Sequence, residues 1–271
     1  MRHCSVIDSN MIQSPLLGDW LAASSDHLAI LPDFVWIEIY KQQSVASIRA
    51  ALTVIGAFPD RIRLIKPGGK VADLDPRRCN MAAQMIEPDT HLRQMTEAIA
   101  LAERGDPTVL AEFAIRWEDA AAHIQEMAEG AVDIVESLPG IAAIFTAEEV
   151  RLCRTNGRYT VGMSGKIFGS ADQIYESLIE ARRKDAPLSE SERIDAYLYR
   201  YALAMMIYAL WWIRTGNQKP KRLERLRNDM IDLSFAVYGT YFDGLLTNDS
   251  KCNWMYANLS GALNMARASA G

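Results

Sequence analysis

The sequence has few cysteines, and they follow no metal-binding or disulfide pattern. Cys4, Cys79, Cys153 and Cys252 lie far apart, and no two of them form a C-x-x-C pair. Zinc sites and small disulfide-rich domains place their cysteines at short, regular spacings. The spacing therefore argues against both classes and predicts reduced thiols, as in a cytoplasmic protein.

Long apolar runs and a basic excess are also missing. The longest apolar run spans residues 201–213, short of the ~20 residues that cross a bilayer. It predicts a buried helix, with Trp211 and Trp212 in the core. Asp8 comes too early for a secretory apolar segment. The net charge of −5 means that any nucleic-acid contact needs a local basic patch. We therefore expect a cytoplasmic protein without a membrane partner.

Both ends of the chain alternate strand and helix patterns. Runs that favour β-structure occur at 5–7, 28–31, 61–65 and 242–247. Helical patterns extend to about residue 23, over 34–40 behind Asp33 as a cap, over 44–58, to about 238, and over 250–268. This order predicts an α/β fold with a mostly parallel sheet built from both chain ends.

The middle of the chain has a helical pattern without convincing strands. Ala-, Glu- and Arg-rich stretches over 73–216 indicate five or six helices. Breaks are predicted at 105–107, 138–140, 155–169 and 186–187, with a capped start at 188–192. The chain is therefore divided into an α/β segment at 1–70, a helical insertion at 71–216 and a second α/β segment at 217–271.

Acidic residues stand where strands end or neighbouring helices begin. They are Asp8, Glu38, the pair Asp229 and Asp232, and Asp249. The carboxyl ends of parallel strands share one edge of a sheet, so these acids can converge in space. Crowded carboxylates repel one another unless a cation neutralises them, and oxygen ligands favour Mg²⁺ or Mn²⁺. The pattern predicts a metal site.

Each acid also has a local explanation when it is taken alone. Asp8 is typical of a helix cap, Asp229 and Asp232 of a wet helix face, and Asp249 of a turn. Glu38 is harder to explain locally, because its neighbours in the helical pattern are apolar. The joint arrangement favours the metal site over four unrelated local roles.

The order of these residues resembles the PIN-domain ribonuclease family. Residues 6–10 read Val-Ile-Asp-Ser-Asn, and Glu38 follows Leu-Pro-Asp at 31–33. Residues 228–232, Asn-Asp-Met-Ile-Asp, lead through Tyr238 to 243–249. In that family a strand ending in hydrophobic-hydrophobic-Thr-x-Asp follows a helix that carries another acid, and residues 245–249 fit this pattern. The resemblance covers about 1–65 and 220–271, so the helical block is an insertion.

The resemblance implies a three-layer PIN-like fold with an added all-helical insertion. It also implies an acidic quartet with catalytic and metal-binding roles, formed by Asp8, Glu38, Asp232 and Asp249. Asp229 competes with Asp232 for the helix position and is a further metal ligand, although the spacing to Thr247 favours Asp232. Supporting polar roles are implied for Asn10, Thr247 and Asn248.

The implied activity is metal-dependent hydrolysis of RNA phosphodiester bonds with Mg²⁺ or Mn²⁺. A basic stretch before the acidic helix is expected to hold the RNA backbone through Lys219, Lys221, Arg222 and Arg225. Its alternative role is a solvated helix face. The family resemblance adds a toxin-like or RNA-processing role, and either a protein inhibitor of the antitoxin kind or a homodimer as a partner.

Two other functions compete with the nuclease. A catalytically inactive PIN-like protein, acting as an RNA or protein interaction module, is disfavoured because all four acids are present. A phosphotransfer enzyme with Asp8 as nucleophile is disfavoured because Asn10 stands where a second acid is usual. The metal-dependent endoribonuclease is therefore the leading hypothesis.

Overall fold

The computed structural model describes residues 2–78, 80–182, 188–217 and 222–270. The strands are β1 (His3–Ile7), β2 (His27–Leu31), β3 (Ile62–Leu64) and β4 (Gly244–Leu246). The helices are α1 (Pro15–Ala23), α2 (Asp33–Tyr40), α3 (Val45–Ile55), α4 (Gly68–Ala72), α5 (Met81–Met85), α6 (Leu92–Glu103), α7 (Pro107–Ala143), α8 (Ala147–Thr155), α9 (Val161–Ala181), α10 (Glu190–Asp195), α11 (Tyr197–Arg214), α12 (Leu223–Gly239) and α13 (Ser250–Ala270).

The four strands form one parallel sheet in the order β3-β2-β1-β4. Each strand lies where the sequence predicts one, which confirms the α/β class and the parallel sheet. β4, from the far end of the chain, pairs with β1 so that Val6 lies opposite Leu245. The amide of Asp8 extends this pairing by donating to the carbonyl oxygen of Leu246 at 3.0 Å. The two chain ends therefore build one sheet edge together.

The central strands are buried because helices cover the sheet. Val6, Ile7, Ala29 and Leu31 have no solvent exposure. Strands buried on both faces are near-continuous in apolar residues, as these are. Such strands place their side chains rigidly, so the residues that follow them are held in fixed positions.

The helical block packs directly onto the α/β elements. α7 contacts α2 and α12, and α11 contacts α8, α9, α12 and α13. α11 is mostly buried, which confirms the buried helix predicted over 201–213. Its buried residues and those of the sheet belong to one hydrophobic cluster. The division into three segments and the three-layer PIN-like arrangement stay predictions.

The predicted break at 138–140 is wrong, because α7 continues through Pro139 to Ala143. Proline in a helix interior removes a backbone hydrogen bond and costs about 3 kcal/mol. Val135 and Leu138 are almost completely buried on this part of the helix. Apolar burial of this kind stabilises by roughly 1.5–3 kcal/mol per side chain, which offsets the cost.

The break predicted over 155–169 is real but shorter. α9 begins at Val161, where the Thr160 hydroxyl accepts a hydrogen bond from the amide of Met163 at 3.1 Å. Met163, Ile167 and Ala171 are buried at four-residue spacing. This apolar stripe outweighs the low helix propensity of the glycines among them.

The remaining expectations for the helical block have mixed outcomes. The described part of the chain between 73 and 216 contains seven helices, against five or six predicted. The break at 105–107 is confirmed, with Asp106 capping α7. The capped start at 188–192 is confirmed as a capping box between Ser189 and Glu192. The break at 186–187 lies outside the described residues.

Two expectations concern thiols and membranes. The described cysteines, Cys4, Cys153 and Cys252, are free thiols, as predicted, and Cys79 lies outside the described residues. Within the described ranges, no single helix is long and apolar enough to cross a membrane. α7 and α8 together, bent by 116° at their junction, meet that test by length and composition alone.

Candidate active site

Asp8 lies directly after β1, in a pocket of neutral hydrogen-bond donors. Its side chain is only 3% exposed. One carboxylate oxygen accepts hydrogen bonds from the Asn10 amide at 2.7 Å and the Thr247 hydroxyl at 2.5 Å, and the other from Ser9 at 3.3 Å. Burial raises the pKa of Asp8, and these hydrogen bonds oppose the rise. The side chain caps no helix, so the local explanation for Asp8 is not supported.

The turn between β4 and α13 brings three further predicted residues to Asp8. The Thr247 hydroxyl accepts a hydrogen bond from the amide of Asp249 at 2.9 Å, while it donates to Asp8. The amide of Asn248 donates to the side-chain oxygen of Asn10 at 3.2 Å. Asp249 itself accepts from the amide of Cys252 at 2.8 Å, so it also caps α13. The structure thus brings Asp8, Asn10 and residues 247–249 together.

The helix acids Asp229 and Asp232 share a lysine. The Lys251 ammonium, from the first turn of α13, donates to Asp229 and lies 2.8 Å from a carboxylate oxygen of Asp232. Tyr208 donates its hydroxyl to the other oxygen of Asp229 at 2.7 Å. Both oxygens of Asp229 therefore already have donors from the chain.

Asp232, unlike Asp229, has a carboxylate oxygen close to Asp8 at the end of β1. A carboxylate oxygen from each of Asp8 and Asp232 and the sulfur of Cys252 lie within 4.8 Å of one another. Burial raises the pKa of Asp232 to about 7, Lys251 acts to lower it, and the charges of Asp249 and Asp8 raise it further. A further cation beside this carboxyl group would favour its charged form.

Glu38 lines the same cleft from α2. It forms an ion pair with Lys41, one turn further along the helix. Its other oxygen, Oε1, is buried and has no hydrogen-bond partner in the described part of the chain. A buried carboxylate oxygen without a donor is costly, so this atom is available to a cation.

A cleft of about 880 Å³ joins the predicted quartet with Asp229 and Lys251. Arg222 and Arg225, both exposed, lie on its wall, as the expected role in RNA binding requires. Lys219 and Lys221 lie outside the described residues. Two exposed arginines therefore place positive charge beside the five carboxylates of the cleft.

The assignment of both tryptophans of α11 to the core is half wrong. Both tryptophans line the cleft, but Trp212 is buried, at 6% exposure, whereas Trp211 is half-buried. Trp211 packs at 5.2 Å between ring centres against Trp254 of α13. Adjacent residues on a helix point about 100° apart, so two neighbouring tryptophans can differ in burial.

The donors in the cleft fit a hard divalent cation. Five carboxylates line the cleft against Lys251, Arg222 and Arg225, with Lys41 paired to Glu38, so the carboxylates outnumber these four cationic side chains by one. Cys252 offers sulfur, but burial among carboxylates raises its thiol pKa, and the thiol donates to the carbonyl oxygen of Asp232 at 3.4 Å. Carboxylate oxygens such as those of Asp8, Asp232, Asp249 and Glu38 are donors that Mg²⁺ or Mn²⁺ accepts more readily than zinc does, and the identity of the ion stays a prediction.

Sequence reasoning missed Lys251, Tyr208 and Cys252. Lys251 carries a weak signal, because a lysine in the first turn of a helix opposes the helix dipole and needs an acidic partner. Tyr208 and Cys252 stand in apolar helical patterns, where nothing in the sequence distinguishes them from core residues.

Comparisons of the chain with models of protein families, with curated protein sequences and with solved structures find no match. The function is therefore inferred from the cleft and its residues.

Proposed function

We propose that the protein is a metal-dependent endoribonuclease of the PIN type. The observation that carries the proposal is the convergence of Asp8, Asp232 and Asp249 from three separate elements at one edge of a parallel sheet. Glu38 adds a fourth carboxylate with a buried oxygen that lacks a donor. Asp8, Glu38, Asp232 and Asp249 are assigned as ligands of Mg²⁺ or Mn²⁺.

In this proposal the chain's own residues hold and orient the reacting groups. A divalent cation in the cleft would polarise the phosphate, lower the pKa of water and stabilise the departing oxygen. Thr247 and Asn10 fix the Asp8 carboxylate through hydrogen bonds of 2.5 and 2.7 Å. No side chain is needed as a nucleophile, because water attacks the phosphorus. Hydrolysis then leaves one product with a phosphate and the other with a hydroxyl group.

Charge on the cleft wall supports RNA as the substrate. Arg222 and Arg225 are exposed beside the acids and can contact phosphates on either side of the cleaved bond. Lys219 and Lys221 belong to the same basic stretch of the sequence. The cytoplasmic location, the toxin-like role, and a protein inhibitor or homodimer as partner belong to this proposal as expectations.

Cleavage of a mixed RNA pool with Mg²⁺, Mn²⁺ or EDTA tests the proposal. Wild type should cut RNA only with metal, and Asp8→Asn and Asp249→Asn should abolish cutting. Asp243→Asn is the matched control, because Asp243 lies at the opposite end of β4, where it accepts a hydrogen bond from the amide of Cys4 at 2.7 Å. Absence of cutting by the folded wild type under all three conditions would refute the nuclease.

One observation favours the inactive interaction module as a second candidate. Lys251 already neutralises part of the acidic cluster, which a protein without a metal would need. Under that hypothesis wild type binds RNA through its arginines, cuts nothing and binds no Mn²⁺. Calorimetric titration with Mn²⁺ separates the two candidates.

A further inference from the structure

Lys251 places a permanent positive charge inside the acidic cleft. Its ammonium is bonded to Asp229 and lies 2.8 Å from Asp232, and the three side chains are 16–17% exposed. The lysine lines the cleft together with Asp8 and Asp249. It therefore shares one site with the four acids assigned as metal ligands.

The position of Lys251 is unfavourable except for its acidic neighbours. It stands in the first turn of α13, where the helix dipole disfavours a cation. Burial also disfavours the charged form of an amine. Since Asp229 and Asp232 are the groups that the ammonium contacts, they hold the lysine in place. The fold thus places the positive charge of Lys251 between two carboxylates that need a cation to neutralise them.

One of the donors to Asp229 is a cation, whereas the donors to Asp8 are neutral. Tyr208 donates to one oxygen at 2.7 Å and Lys251 donates to the other. One oxygen of Asp232 is likewise engaged by Lys251. A divalent ion placed between Asp229 and Asp232 would have to displace the ammonium group of Lys251, because two cations in contact with the same pair of carboxylates repel each other. Among the described residues no ion pair involves Asp8 or Asp249, and Lys41 pairs with one oxygen of Glu38 while the other has no donor.

We propose that Lys251 takes the place of a second divalent cation, so that this site binds one Mg²⁺ or Mn²⁺ ion. The inference rests on the proposed function, since it concerns the same site. Asp8, Asp249 and Glu38 bind the ion together with Asp232. Asp229 is a positioning residue that holds Lys251. Two-metal nucleases neutralise the phosphate with a pair of ions, whereas this site supplies one ion and one ammonium group.

The number of Mn²⁺ ions bound per chain, measured by calorimetry and by electron paramagnetic resonance without RNA, tests this inference. We expect one ion in wild type, with the signal of an isolated Mn²⁺. Lys251→Met frees Asp229 and Asp232, so we expect two ions with the signal of a coupled pair. Lys251→Arg keeps the charge and should bind one. Adding Asp229→Asn to Lys251→Met should return the number to one.

Lys166→Met is the matched control, because Lys166 forms a similar partly buried ion pair with Glu149 at 2.6 Å, outside the cleft. It should bind one ion. Two ions in wild type, or one in a folded Lys251→Met protein, would overturn the role of Lys251 and leave the nuclease standing. No ion in wild type would overturn both. If Lys251→Met does not fold, Lys251→Gln replaces it, and the wild-type count alone can still refute the inference.

Discussion

The two sides of the acidic cleft handle the same kind of charge in different ways. On the strand side, Asp8 and Asp249 are held by neutral donors from hydroxyl, amide and backbone groups. On the helix side, Asp229 and Asp232 are held by Lys251. Neutral donors orient a carboxylate without removing its charge, whereas an ammonium group also neutralises it. The strand side is therefore suited to an external cation and the helix side to an internal one.

The largest expected effect is a difference between Asp229 and Asp232, the two acids of α12. Asp232→Asn should lower metal-dependent RNA cleavage roughly 100-fold or more, because it removes a ligand worth several kcal/mol. Asp229→Asn should cost only about tenfold, since it weakens the hold on Lys251 without removing a ligand. Single-turnover cleavage rates measure both. Equal losses in two folded variants would show that the two acids play one role.

Removing a neutral donor from the strand side should have an intermediate effect. Thr247→Val keeps the side-chain shape but removes the hydrogen bonds to Asp8 and from the amide of Asp249. Groups that orient metal ligands typically contribute 10- to 100-fold to affinity or activity, so we expect about a tenfold weaker Mn²⁺ affinity. Calorimetry measures this, and Thr247→Ser, which keeps the hydroxyl, should behave as wild type. Unchanged affinity in Thr247→Val would mean that the hydroxyl does not orient Asp8.

The metal-free protein should lose stability as the pH rises. Burial raises the pKa of Asp232 from the usual 3.8 to about 7, and it also raises the pKa of Asp8. A carboxyl group whose pKa is higher in the folded than in the unfolded protein destabilises the fold once it ionises. Its stability penalty is absent below about pH 4 and grows until the pH passes about 7. Each unit of pKa shift corresponds to about 1.4 kcal/mol. The free energy of unfolding in EDTA should fall over this range.

Asp232→Asn should flatten that pH profile, because the amide does not ionise. Mn²⁺ should restore stability above pH 7, since it binds the carboxylate form. Urea denaturation at several pH values gives both curves. A wild-type profile in EDTA that stays flat between pH 4 and pH 7 would contradict the assigned burial of charge.

The smallest expected effect concerns the arginines on the cleft wall. Replacing Arg222 and Arg225 by Gln should weaken RNA binding a few-fold. It should also lower the slope of log affinity against log salt by about one for each arginine that binds a phosphate. Fluorescence anisotropy with labelled RNA at several salt concentrations measures this. Arg116→Gln, an exposed arginine of α7 outside the cleft, is the control. If the slope of log affinity against log salt does not change, these two arginines do not bind RNA phosphates.

Sequence patterns predicted which residues meet on the strand side of the cleft, because that depends only on where two parallel strands end. Asp8 and Asp249 each follow a parallel strand, so the pairing of β1 with β4 brings them together whatever the rest of the chain does. The preference for Asp232 over Asp229 as the metal ligand, drawn from spacing, stays a prediction, and the structure adds only that Asp232 lies close to Asp8.

The helix side could not be predicted in the same way. Lys251 reaches Asp229 only through the packing of α12 against α13, and Tyr208 only through that of α11 against α12. Helix packing depends on side-chain fit over long sequence separations, which propensity and periodicity do not contain. The same limit explains Pro139, where tertiary burial keeps a helix intact through a residue that normally ends one.

Cleavage of RNA with sulfur in place of one non-bridging oxygen at the cut site tests the central claim most directly. Mg²⁺ prefers oxygen to sulfur, and Mn²⁺ is the softer ion. If the acids hold an ion on the phosphate, one stereoisomer should be cut much more slowly with Mg²⁺ and recover with Mn²⁺, and Asp8→Asn should cut neither. Equal rates for both stereoisomers and the unmodified RNA in Mg²⁺, or cutting that persists in EDTA, would contradict the account.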